Sequence, residues 1–350
     1  MEPITIREIA EAVNGKLLGG FTDLDRTVTH VFTDSRKPDP GALFIPLVGE
    51  RFDGHAFIEA ALEGGAAGCF TQRERESYLP GKFYIKVGNT QRALRDLARW
   101  YKQKFPIPFI AITGSVGKTT TKDMVAAVLG EKFKVLKTEG NFNNEVGLPL
   151  TLLRLNSTHQ LCVVEMGMNH FGEIEYLSAI VEPDVAVITN IGDSHIENLG
   201  SRENILKAKC EIFSHMDPAK GCAILNGDDP LLSGLRPQLP FATVSVGTGE
   251  GLEYRAEDVI AEGEKSVRCR IVTPRETFPV EIPAVGSHML YPALTAAAVA
   301  ERFGMTGEEI ARGVLRFAPT KMRMNILKRG ESITILNDTY NANPQSMRAA

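Results

Sequence analysis

The side chains best suited to chemistry sit in a few short runs. Thr113-Gly114-Ser115-Val116-Gly117-Lys118-Thr119-Thr120 follows the apolar Phe109–Ile112 and precedes a segment with Met124, Val125, Val128 and Leu129 at helical spacing. Strand, glycine turn, Lys-Thr and helix together read as a phosphate-binding loop. Backbone N–H groups at a helix N-terminus attract anionic oxygens, and Gly114 and Gly117 let the backbone approach them. Lys118 would neutralise terminal phosphates, and the Thr119 hydroxyl would hold Mg²⁺. The loop departs from the usual G-x-x-x-x-G-K-[ST] pattern, because only Ser115 and Val116 separate its glycines. The plain alternative is a strand-to-helix turn with an exposed lysine.

Further runs end in polar residues. Glu165 closes the apolar Leu161–Val164. A carboxylate there is costly to bury unless it is paired or bound to a cation, so it reads as a Mg²⁺ ligand or a structural ion pair. Thr189 to His195 follows the next apolar run. Asn190-Ile191-Gly192-Asp193 imitates a guanine-reading N-K-x-D, but Ile191 replaces the lysine and a GTPase is set aside. His195 is either a second metal ligand or an ordinary strand-end histidine. Lys207 and Lys209, two apart on a helix, point in different directions; the spacing leaves open which turns inward. Asn141, Asn143 and Asn144 form either a turn cluster or a set of amide donors for a phosphorylated intermediate. Asp34-Ser35-Arg36 is a polar turn or an anion site, since arginine forks onto phosphate or carboxylate.

These residues need a scaffold. Near-continuous apolar runs at 134–138, 161–167, 184–191 and 221–226 imply a parallel sheet covered on both faces, hence a doubly wound α/β fold. In such sheets ligands sit beyond the carboxyl ends of the strands, where these polar residues fall. Alternation between 253 and 283 predicts an antiparallel excursion, followed by helices over 294–303 and 306–317. Upstream, Thr5 and Glu8 form a capping box for a helix to Val13, Val28–Phe32 alternates like a strand, Ala60–Gly68 reads as helix and turn, and Phe83–Val87 as a strand. An amphipathic helix over 89–101, with Leu94, Leu97, Ala98 and Tyr101 on one face, bridges to the centre. The expected domains are a small α/β domain at 1–88, a central nucleotide domain at 89–318, and at 319–350 the bare start of a third α/β unit, as if the remainder were removed or truncated.

Composition narrows the classes. The chain has 350 residues, is 43% hydrophobic and carries a net charge of −4. That is an ordinary globular balance, with no electrostatic case for nucleic acid or an anionic membrane surface. No apolar run approaches the roughly 20 residues of a membrane span, and Met1–Thr5 does not read as a signal peptide. Five cysteines without metal-ligand spacing suggest reduced thiols in a cytoplasmic protein.

Taken together, the short glycine loop, Glu165, Asn190–His195 and Ala208-Lys209-Cys210-Glu211-Ile212-Phe213 resemble the Mur ligases, ATP-dependent amide-forming enzymes of peptidoglycan precursor synthesis. Thr138–Asn144 and Asn337–Pro344 resemble the branch that adds D-alanyl-D-alanine. The resemblance spans essentially the whole chain. It implies a three-domain architecture: a UDP-MurNAc-binding domain, a central P-loop domain with a mostly parallel sheet, and a C-terminal Rossmann-like domain. It implies a monomeric cytoplasmic ligase that binds ATP and joins D-Ala-D-Ala to UDP-MurNAc-tripeptide through an acyl phosphate. Ser35, Arg36, Asp53, His55, Asn141 and Asn144 would bind substrate, with Asn143 catalytic. Gly114 to Thr120 would hold the nucleotide together with Arg323 and Asp338. Thr119, Glu165 and His195 would ligate two Mg²⁺ ions, joined by Lys209 in carbamylated form; Lys118, Lys209 and His195 would be catalytic. One departure concerns adenine: the family's His-Asn-x-x-Asn appears here as His288-Met289-Leu290-Tyr291-Pro292, without the second amide. A sister ligase adding the third amino acid, a folylpolyglutamate synthetase, and a non-catalytic nucleotide and UDP-sugar module are the competing expectations.

Overall fold

The computed structural model describes residues 1–263, 265–320, 322–323, 325–329, 333–340 and 347. Asn341-Ala342-Asn343-Pro344 of the expected C-terminal motif lies outside the described residues. The chain divides into two compact units. The first comprises 1–106 with 139–158, the second 107–138 with 159–350.

In the first unit, five short strands form a mixed sheet in the order Lys16–Leu18, Phe83–Lys86, Gly68–Thr71, Leu43–Phe44, Val31–Phe32. The first pair is antiparallel and the rest are parallel. Phe44, Ile58, Leu62, Cys69 and Tyr84 pack its core. The capping box at Thr5 forms as expected, with the Glu8 N–H on Thr5 Oγ1 and the Thr5 N–H on Glu8 Oε2. The run Val28–Phe32 does not make one strand. It breaks into Thr27–Val28, paired with Ile4–Thr5, and Val31–Phe32, paired with Leu43–Phe44. The helix Thr90–Lys102, capped by Asn89, buries the anticipated face of Leu94, Leu97, Ala98 and Tyr101. It groups with the first unit, alongside the helix Gly147–Leu152, and Tyr101 donates to the Leu155 carbonyl at 2.7 Å.

The second unit is built on nine strands: β1 Phe109–Thr113, β2 Val135–Lys137, β3 Leu161–Glu165, β4 Val185–Ile188, β5 Cys222–Asn226, β6 Ala242–Gly247, β7 Tyr254–Ala261, β8 Val267–Val272 and β9 Thr277–Ile282. They lie in the order 2-3-1-4-5-6-7-8-9. Pairings through β7 are parallel, and β7–β8–β9 form the expected antiparallel excursion. Strand β6 was not anticipated. Three helices cover this sheet's core: α1 Lys118–Leu129, α2 Leu290–Arg302 and α3 Gly307–Leu315. A Cβ at Gly313 of α3 would lie 2.4 Å from Val128 Cα, so close packing of α3 on α1 needs that glycine. Beyond α3, Asn325–Arg329 and Ile333–Asn337 pair as an antiparallel hairpin.

Asp123, on α1, ties three segments of this unit together. Its carboxylate meets Lys137 Nζ at 2.7 Å and Lys122 Nζ at 3.2 Å, and accepts from the Thr320 hydroxyl. Lys122 is buried and also donates to the Thr138 carbonyl at 2.8 Å. Burial pushes the Asp123 carboxyl upward, but the two ammonium groups and the Thr320 hydroxyl together hold it below the usual value. A carboxyl depressed in the fold contributes stability that is complete above its unfolded pKa of about 3.9 and is lost as pH falls through the lower folded value. Asp123→Ala should therefore lose about 3–5 kcal/mol by urea unfolding at neutral pH. The deficit relative to the parent should shrink below about pH 4; an equal deficit at both pH values would refute this role.

Candidate functional site

The short loop has the geometry of a nucleotide site. β1 delivers the chain at its carboxyl end, and α1 starts at Lys118 with Gly117 as N-cap at φ 82°. Gly114 has φ 149°, and a Cβ there would lie 1.9 Å from Thr189 Oγ1. The loop thus presses against the end of β4 where no side chain fits. Gly114→Ala should lose about 2 kcal/mol or more of stability. Removing the hydroxyl in Gly114→Ala/Thr189→Ala should return part of it, and thermal unfolding of the pair would expose a lack of coupling.

Parallel register sets the remaining groups around the loop. Ile112 pairs with Glu165 and Thr113 with Ile188, so Glu165 stands beside the end of β1. Glu165 is 2% exposed, and its N–H donates to Thr138 Oγ1 at 3.1 Å. Lys118 is half-buried and donates to the Gly114 carbonyl at 2.8 Å. Burial lowers its pKa, the Glu165 charge opposes that fall and Arg323 adds to it. His195, half-buried with φ 67°, is also lowered, first by burial and then by Lys209 and Lys118.

Between the two candidate lysines the structure chooses. Lys207 is exposed, whereas Lys209 is 1% exposed. Among the described residues no ion pair holds Lys209; burial and the nearby Lys118 ammonium depress it well below an ordinary lysine. Lys118 thereby lies within electrostatic reach of Glu165, His195, Lys209 and Arg323, and His195 within reach of Lys209. Arg323 stacks over the Tyr340 ring at 4.1 Å, and the Asp338 charge acts on His288, whose pKa burial lowers and Asp338 raises.

Among the described residues no group of three or more His, Cys, Asp or Glu side chains is placed to hold a metal. The donors here are the buried Thr119 hydroxyl, one buried carboxylate and one imidazole. That set suits a hard cation completed by substrate phosphates, since Mg²⁺ is commonly held by one or two carboxylates plus phosphate oxygens.

The expected substrate residues lie in the first unit. Arg36 is exposed, and Asp34 engages its guanidinium at 2.8 and 3.0 Å; this fork, with the Arg36 N–H, holds the Asp34 carboxyl below its usual range. Ser35 is half-buried beside them. His55 uses both ring nitrogens within the protein: Nδ1 lies 2.6 Å from Asp53 Oδ1, and Nε2 accepts from the Gln72 N–H at 3.1 Å. That arrangement places the proton on Nδ1. Asn144 Oδ1 accepts from the Val146 and Gly147 N–H groups, so its oxygen caps the following helix. Asn141 is exposed and Asn143 half-buried.

Pro292 is buried in the first turn of α2, and the neighbouring Tyr291 hydroxyl donates to Asp228 Oδ2 at 2.9 Å. Sequence reasoning assigned Asn190 no role of its own beyond an imperfect guanine motif and membership of a family-like run. Here its side chain grips the phosphate loop, at 3.0 Å to both the N–H and the carbonyl of Val116. All five cysteines are free thiols, and Cys210 alone among them is not fully buried. No helix among the described residues is long and apolar enough to cross a membrane.

Comparison with known proteins gives two family matches and several relatives. The Mur ligase middle domain matches residues 112–300, and the Mur ligase family catalytic domain matches residues 27–102. The chain is 43% identical over 347 residues to the UDP-N-acetylmuramoyl-tripeptide–D-alanyl-D-alanine ligase of Bacillus subtilis, covering 99% of this chain and 74% of that protein. It superposes on a crystal structure of MurF from Acinetobacter baumannii with a TM-score of 0.93 at 34% identity, over 100% of this chain and 76% of that one. It superposes on the MurF ligase of Thermotoga maritima in complex with ADP with a TM-score of 0.81 at 30% identity, over 92% of this chain and 73% of that one.

Proposed function

The chain belongs to the Mur ligase family, in its UDP-N-acetylmuramoyl-tripeptide–D-alanyl-D-alanine ligase branch, and we propose that it carries out that branch's ATP-dependent ligation. The tripeptide carboxylate attacks the γ-phosphorus of ATP, forming an acyl phosphate and releasing ADP. The amine of D-Ala-D-Ala then attacks the acyl carbon, phosphate leaves with the bonding pair, the amine proton is lost, and the amide remains. The reading is supported by one observation: Lys118, where the short loop opens a helix, lies within electrostatic reach of Glu165, His195 and Lys209.

Charge repulsion between carboxylate and triphosphate is the main obstacle, and positioning with neutralisation is what a protein can supply. In this reading Lys118 leaves the Gly114 carbonyl to pair with terminal phosphate oxygens, the α1 N-terminus accepts others, and Arg323 adds positive charge. Thr119, Glu165 and His195 would hold Mg²⁺, two ions in all. Bound Mg²⁺ would offset the charge of the phosphates. A lowered pKa makes the neutral amine of Lys209 more accessible; that amine would add to CO₂ and lose a proton, and the resulting carbamate would be a carboxylate ligand beside His195. Asp338 would meet the nucleotide.

Residues 1–88 would hold the UDP-MurNAc end through Ser35, Arg36 and Asp53, with His55 bracing Asp53. Asn141, Asn143 and Asn144 would serve the tripeptide and the acyl phosphate. Residues 89–318 would hold ATP, and 319–350 would open the unit that receives the amine. The enzyme would act as a cytoplasmic monomer, where ATP and nucleotide-linked precursors are available. The test is phosphate release from ATP by the full-length gene product with UDP-MurNAc-tripeptide and D-Ala-D-Ala. Release only when both substrates are present supports the reading, and no release above the single-substrate controls would sink it.

A further inference from the structure

The loop between Gly114 and Gly117 is too short to satisfy its own backbone, and the segment after β4 does so instead. Asn190 accounts for three of these bonds. Its Oδ1 accepts from the Val116 N–H at 3.0 Å, its Nδ2 donates to the Val116 carbonyl at 3.0 Å, and its own carbonyl accepts from the Ser115 N–H at 3.0 Å. Thr189 Oγ1 donates to the same Val116 carbonyl at 2.6 Å. Ser115 Oγ accepts from the Gly192 N–H at 2.8 Å, and Ser194 Oγ donates to the Ser115 carbonyl at 3.3 Å.

These bonds carry a consequence for anion binding. The N–H groups of Ser115 and Val116 are both engaged by Asn190, so they are not offered to a phosphate. The donors left are those at the start of α1, which have no partner inside the helix, together with Lys118. We propose that Asn190 is a positioning residue for the nucleotide: its carboxamide clasps the Val116 peptide and fixes the loop so that the α1 N-terminus and Lys118 face the phosphates. It contributes no group to the phosphates themselves. The proposal rests on the nucleotide-site reading above and assigns a residue to it that neither the loop pattern nor the metal-ligand set includes.

Asn190→Ala removes both side-chain bonds. Asn190→Asp keeps size and the acceptor, but turns an oxygen toward the Val116 carbonyl where an N–H had donated. Calorimetry with ADP and Mg²⁺ should show binding weakened roughly 10- to 100-fold in both variants, the scale of one or two lost hydrogen bonds that fixed the loop. KM for ATP should rise in parallel, while KM for UDP-MurNAc-tripeptide stays within about twofold. The thermal upshift that ADP gives the parent should shrink with the affinity. If Asn190→Ala does not fold, Asn190→Asp carries the test. A fall in melting temperature with unchanged ADP affinity in the folded variants would leave Asn190 a purely structural residue and overturn the proposal alone. A parent that fails to bind ADP would overturn the nucleotide-site reading, and the proposal with it.

Discussion

Lys118→Met is expected to lower kcat/KM for ATP by about three orders of magnitude or more, with the protein still folded. Methionine matches the length and much of the volume of lysine but brings neither charge nor donor. Lys118 is the cation placed at the first turn of α1, where anionic oxygens are drawn by the unpartnered N–H groups. Among the described residues its one direct hydrogen bond is to the Gly114 carbonyl, so folding loses about 1 kcal/mol at most when it is removed. The loss should fall on turnover more than on nucleotide affinity, because charge builds on the transferring phosphoryl group as the carboxylate approaches. Lys118→Arg should not restore activity: a planar fork cannot occupy the space of a compact ammonium against the loop. Steady-state phosphate release and ADP calorimetry on the two variants separate these outcomes. A drop smaller than about tenfold in Lys118→Met would show that the charge is supplied elsewhere.

Much of the second unit was legible because its strands are short apolar runs ending in polar residues. Phe109–Thr113, Leu161–Glu165, Val185–Ile188 and Cys222–Asn226 are each buried along nearly their whole length. Such runs announce a parallel sheet, and the sheet in turn announces where a ligand sits. Strand β6 escaped because Ala242–Val244 is only partly buried and follows a proline-containing turn, so neither period stands out. Gly68–Thr71 escaped for another reason. It is four buried residues with no alternation, and in sequence it reads as the tail of the preceding helix. The break in Val28–Phe32 is a pairing effect: its two halves answer to different partner strands, which local pattern cannot express.

The site was legible as a list of residue types but not as a network. Spacing left Lys207 and Lys209 equivalent, and only packing distinguishes the exposed one from the buried one. Asn190 was noticed for the wrong reason. Its role depends on residues more than seventy positions away, at Ser115 and Val116, and a side-chain amide bonded to a backbone peptide leaves no periodic trace. His55 and Asn144 were taken as substrate contacts from the family resemblance. Their accepting atoms are already engaged by Gln72, Val146 and Gly147, so sequence could propose the residues but not the atoms they have to spare.

Lys209→Met should separate function from stability more sharply than any other substitution in the chain. An ammonium group 1% exposed, with another ammonium as its charged neighbour, is an unfavourable thing to fold around. Burial and the Lys118 ammonium lower the Lys209 pKa, and on the proposed reading a carbamate there would answer the positive charge of Lys118. Methionine fills the same channel without a charge to bury, so the melting temperature should hold or rise by a few degrees. On the proposed role of Lys209 as a carbamylated ligand, activity should fall about a thousandfold. Glu165 would then face the phosphates with only His195 and Thr119 beside it, and raising Mg²⁺ should recover part of the loss. Such a pairing of gained stability with lost turnover is what a residue retained for chemistry predicts. A Lys209→Met protein that melts well below the parent would mean that the lysine is there for the fold, and one that turns over normally would remove it from the catalytic centre.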